Sequence, residues 1–92
     1  MMKYPIEIAI WVIGNLDRRD PEAVHGALVF VAQRLGLNPV DSERLSMAFH
    51  LVRGRPYFYT PESIRKAETT LEENGETTVL RDAMAEMRAN SR

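Results

Sequence analysis

Apolar residues recur along this chain at three- and four-residue steps, in stretches broken by proline, glycine and asparagine. The stretch from Asp20-Pro21-Glu22 to Leu35 carries Val24, Ala27, Leu28, Val31 and Leu35 at helical spacing, and Gly36 follows as a natural C-terminal stop. A second stretch opens at Asn38-Pro39, runs Leu45, Ala48, Phe49 and Val52 along one stripe, and ends at Gly54. A third opens at Thr60-Pro61-Glu62, presents Ile64, Ala67 and Leu71, and stops at Asn74-Gly75. The last begins near Thr77, uses Val79, Leu80, Ala83, Met84 and Met87, and is expected to fray at Asn90-Ser91-Arg92.

Proline at the head of a helix costs nothing, because its missing N–H would have had no intrahelical partner and its φ is already helical. Asp20, Asn38 and Thr60, each just before a proline, are good capping residues whose side-chain oxygens can accept an orphan N–H one turn in. Pro5, after Tyr4, marks one more helix start. The segment it opens, from Pro5 to about Arg18, is apolar nearly all round through Ile6, Ile8, Ala9, Ile10, Trp11, Val12, Ile13 and Leu16.

Its β-branched content also suits a strand. The proline and the continuation past Gly14 to Leu16 favour a helix. A helix without a polar face must be surrounded. The expectation is that it sits at the centre of the bundle, or is shared with a second copy through Ile8, Trp11, Val12 and Asn15-Leu16. Gly14, Gly26 and Ala27 would permit close helix contact. Thr69-Thr70-Leu71 and Thr77-Thr78-Val79 around Asn74-Gly75 could form a hairpin. The helical stripes on both sides favour helix–turn–helix there. The architecture expected is thus all-α: one domain over residues 1–92, a compact bundle of about five short helices.

Composition agrees with a globular domain, at 92 residues and 45% hydrophobic. There is no cysteine, which excludes a disulfide framework and thiolate metal sites. Twelve basic against thirteen acidic residues leave a net charge of −1, so no sequence-wide attraction to nucleic acid or anionic membrane is expected. The run Ile8–Ile13 is too short to span a bilayer and lacks a following small-residue cleavage site, so the reading is cytoplasmic, without a membrane.

Candidate chemistry is sparse. Glu22 and His25 have the Glu-x-x-His spacing of di-iron bundles, but the other histidine, His50, is preceded at that offset by Met47, so no metal site is expected. Ser42, Ser46 and Ser63 lack a nucleophile context, the five glycines are scattered, and no cofactor is implied. Glu68, Glu72, Glu73 and Glu76 cluster around a turn, as a solvated face does.

The richest stretch is Arg53-Gly54-Arg55-Pro56-Tyr57-Phe58-Tyr59. Arginine and tyrosine dominate protein interfaces because they combine contact area, low entropy cost and hydrogen bonding. Phe58 is expected in the core, while Tyr57 and Tyr59 suit either core or interface. The expected function is therefore that of a non-enzymatic regulatory or adaptor protein, a homodimer that binds another protein through Trp11, Arg53, Arg55, Tyr57 and Tyr59. Inhibitors, antitoxin- or immunity-like proteins and chaperones fit that description.

The alternative is DNA binding. Ala32-Gln33-Arg34-Leu35-Gly36-Leu37-Asn38 resembles the first helix and turn of a helix-turn-helix, which would place Arg34, Arg44, Arg53 and Arg55 on phosphates. Pro39 and Ser42 depart from that pattern, and Asp41 and Glu43 would bring negative charge to the duplex.

Overall fold

The structure, a computed structural model, describes residues 4–16 and 20–90. Among them the chain forms five α-helices, α1 (Pro5–Leu16), α2 (Pro21–Arg34), α3 (Pro39–Arg53), α4 (Pro61–Glu73) and α5 (Thr77–Asn90). A single 3-10 turn, Pro56–Tyr59, joins α3 to α4. The all-α bundle expected from the sequence is what forms, and segment 5–16 is helix rather than strand. The expected end of α1 near Arg18, and Ser91-Arg92 at the other end, lie outside the described residues.

The proline-headed helices begin as their caps dictate. Asp20 Oδ1 accepts the Glu22 N–H at 3.0 Å, Asn38 Oδ1 that of Asp41 at 2.8 Å, and Thr60 Oγ1 that of Ser63 at 3.1 Å. Two helices end on left-handed glycines, Gly36 at φ 67° and Gly75 at φ 74°. At each end a pair of backbone bonds recovers orphan carbonyls: Leu37 N–H to Ala32 and Gly36 N–H to Gln33, then Glu76 N–H to Leu71 and Gly75 N–H to Glu72. Gly75 therefore turns the chain from α4 into α5, and the hairpin alternative is not formed.

Helix α1 is the axis of the fold. It touches α2, α3, α4 and the 3-10 turn, and every residue from Ile8 to Ile13 is buried. Leu45, Phe49 and Val52 of α3, Ala67 and Leu71 of α4, Leu80, Ala83 and Met84 of α5, and Val24, Leu28 and Val31 of α2 complete one continuous core. Gly14 lets α4 approach closely, since a Cβ there would stand 2.6 Å from Ile64 Cγ1. Gly26 differs from the expectation of close contact: a Cβ there would meet nothing within 4 Å.

Polar bonds pin the outer helices to this axis. The Trp11 indole N–H donates to Glu68 at 3.2 Å, and Glu68 pairs with Arg81 at 3.1 Å, linking α1, α4 and α5. Arg88 donates to the Asn15 carbonyl at 3.3 Å, and Arg34 meets Glu86 at 2.5 Å. No helix among the described residues is long and apolar enough to cross a membrane.

Candidate functional site

The end of α3 and the 3-10 turn bring the Arg/aromatic stretch together on the outside of the bundle. Pro56 starts the turn, and the Phe58 N–H closes it onto the Arg55 carbonyl at 3.0 Å. The Ser63 hydroxyl, one turn into α4, bonds the Phe58 carbonyl and ties the turn to the next helix. The three rings then diverge. Tyr57 is 59% exposed, whereas Phe58 and Tyr59 are half-buried and lie against the core. Phe58, expected in the core, packs against it half-buried; of the two tyrosines, Tyr57 faces solvent and Tyr59 packs inward.

Tyr57 and Phe58 stack at 4.5 Å between centroids, tilted by 54°. Arg55 stands over Phe58 at 6.0 Å, and Arg53 over Phe49 at 5.6 Å. A guanidinium over a ring face gains from the ring quadrupole, which holds the cation in place without an acidic partner. Between the turn and α4 runs an open groove of about 370 Å³, bordered by Glu7, Ile10, Tyr57, Phe58, Lys66 and Thr70. It offers an apolar floor with both signs of charge at its rim.

Tyr59 has a different environment. Its hydroxyl is buried without a hydrogen-bond partner, and burial raises its pKa above the ordinary tyrosine value, against the opposing pull of Arg53. Glu76 is a second such group. Its Oε2 is buried without a partner, and its pKa is raised by desolvation first and by the charge of Glu7 second.

Trp11 does not join the surface group. At 3% exposure, with its N–H bonded to Glu68, it is part of the chain's own core. The same holds for Ile8 and Val12, so most of the α1 face expected to receive a second copy is consumed within one chain, while Asn15 stays exposed and Leu16 half-buried. A helix apolar on all sides needs surrounding, and four neighbouring elements already supply it.

The DNA-binding set is dispersed among local partners. Arg34 is paired with Glu86 of α5, Arg44 lies 3.8 Å from Asp41, and Arg53 and Arg55 sit over rings at the far end of α3. At the α2–α3 corner, His25, Val29, Gln33, Ser42 and Ser46 line a groove instead. Among the described residues, no three His, Asp or Glu side chains gather closely enough to hold a metal ion.

One feature of the surface escaped the sequence reading. Helix α3 carries a second apolar stripe, with Val40 57%, Met47 64% and Leu51 41% exposed, beside Ile6 of α1 at 37%. Pro5, Ile6, Arg44, Met47 and Leu51 line an open groove there. The seven- and four-residue steps from Val40 to Met47 to Leu51 are visible in the sequence. They are masked by the stronger stripe through Leu45, Phe49 and Val52 on the same helix.

Fold and surface together define a small all-α protein with exposed aromatic and aliphatic patches at one end of its central helix. Compared with models of known protein families, with curated proteins and with solved structures, the chain matches none.

Proposed function

We propose that this chain is a non-enzymatic regulatory or adaptor protein that works in the cytoplasm as a homodimer and binds another protein through the Arg55–Tyr57 surface. The observation that carries the reading is the exposed Tyr57 ring, stacked on Phe58 at the lip of a groove with an apolar floor. Such a ring adds contact area at low entropic cost, since its neighbours already restrict it, and its hydroxyl can bond a partner's polar rim. Arg55 beside it, held over Phe58, supplies a fixed cation for an acidic group. Lys66 and Glu62 at the groove edge would select against partners of the wrong charge pattern.

The test is affinity capture with the full chain, run in parallel with Tyr57→Ala and Arg55→Ala variants of unchanged helical content. The expected result is one protein retained by the parent chain and lost at least about tenfold by each variant, the loss of about 1.4 kcal/mol that a hot-spot side chain exceeds. Retention unaffected by both variants overturns the assignment of this surface. Binding of a short DNA duplex that disappears steeply with salt, and that ignores Tyr57→Ala, would establish the nucleic-acid alternative instead.

A further inference from the structure

We infer that two copies of this chain associate through the outer stripe of α3, antiparallel and two-fold symmetric, with Val40 of each copy against Leu51 of the other. The inference rests on the homodimer reading above and assigns it a face distinct from the Tyr57 groove.

Val40, Arg44, Met47 and Leu51 are spaced by four, three and four residues, the alternation by which one helix presents a straight seam to another. All four are exposed, and they run about 16 Å along the helix. The seam is self-complementary when reversed. Val40 meets Leu51, and Arg44 lays its aliphatic stem against Met47 while Asp41 of its own chain, 3.8 Å away, accompanies the guanidinium.

The charges choose the direction. Glu43 and His50 are both exposed and seven residues apart, so they border the same edge of the seam. A two-fold axis across antiparallel helices keeps equivalent edges together, which brings Glu43 to the partner's His50 and His50 to the partner's Glu43. The imidazole N–H donates to the carboxylate, twice per dimer. Parallel pairing would set Arg44 against Arg44 across the seam, a like-charge contact that costs stability, and would carry Glu43 and the partner's His50 to opposite edges, so that pair would be lost. Ile6 lines the same groove as Met47, His50 and Leu51 and widens the apolar surface beside the seam.

The experiment is the solution mass of the full chain against concentration, up to about 100 µM, where a small interface of micromolar affinity is filled. The expected mass is twice the 10.5 kDa of one chain. Met47→Glu, and Val40→Lys as an independent variant at an equally exposed site, should each raise the dimer dissociation constant at least about tenfold while leaving the helical signal intact. Glu43→Lys should weaken association, and the double variant Glu43→Lys with His50→Glu should restore it. A parent chain that stays monomeric overturns both the dimer and the face. A dimer indifferent to Met47→Glu and Val40→Lys keeps the homodimer and overturns the face. Dissociation by both variants without rescue by the double variant overturns the antiparallel geometry.

Discussion

Helices α1 and α3 both carry apolar side chains on more than one face, yet the bundle treats them differently. In α1 every side chain from Ile8 to Ile13 is buried, because α2, α3, α4 and the 3-10 turn surround it. In α3 the stripe through Leu45, Phe49 and Val52 is covered by α1, while Val40, Met47 and Leu51 face outward with nothing over them. Apolar content alone therefore says little about where a partner binds. The position of a helix in the bundle decides whether its apolar surface is satisfied at home.

The sharpest way to break this comparison is to remove the same kind of atoms from each helix. Trp11→Ala in α1 deletes a large buried ring and the indole bond to Glu68, which keeps its pairing with Arg81, so a loss of about 3–5 kcal/mol is expected in denaturant unfolding, nearly all of it from the cavity. Met47→Ala in α3 should stay within about 0.5 kcal/mol at monomer concentrations. Equal losses at the two sites would refute the assignment of inner and outer faces.

A smaller effect tests how tightly α1 is enclosed. Gly14→Ala adds a Cβ where Ile64 already stands, and the expected cost is about 1–3 kcal/mol. On α2, Gly26→Ala adds the same methyl group into open space within a helix, which should stabilise the chain by about 0.5–1 kcal/mol. Opposite signs for the two glycines, read by thermal unfolding, would confirm that only one of them serves close packing.

The smallest effect concerns titration beside α1. Glu76 has its folded-state pKa raised by desolvation and then by Glu7, so its protonated form is the one the fold favours. Its contribution is fully present below the unfolded carboxyl pKa and is lost as pH rises through the folded value. Glu76→Gln should then raise stability at neutral pH, with the gain shrinking as pH falls through the raised folded value and gone once pH is below the ordinary glutamate range. A gain independent of pH would point away from ionisation as the cause.

Tyr57 and Tyr59 illustrate what local sequence could not resolve. Both are aromatic, two residues apart, in a loop of suitable composition, and nothing in that composition separates them. A 3-10 turn advances about 120° per residue, so residues two apart face different directions, and the placement of α1 and α4 determines which one meets the core. Trp11 shows the reverse error. A lone tryptophan in an apolar helix suits an interface as well as a core, until three flanking helices close over it. The outer stripe of α3 was legible as spacing, but its exposure depends on α1 covering one side of α3 and leaving the other open.

The chain's own sequence determined where helices begin and end, because caps, prolines and left-handed glycines act within a few residues: Asp20, Asn38 and Thr60 at the starts, Gly36 and Gly75 at two of the stops. It also determined the all-α class, through the period of its apolar positions. The tertiary structure alone decided which apolar faces remain in water. Burial is a property of the neighbours a helix acquires, and those neighbours come from distant parts of the chain, as when Glu68 reaches Trp11 and Arg88 reaches Asn15. No local pattern carries that information, so the candidate surface had to be read from the folded molecule.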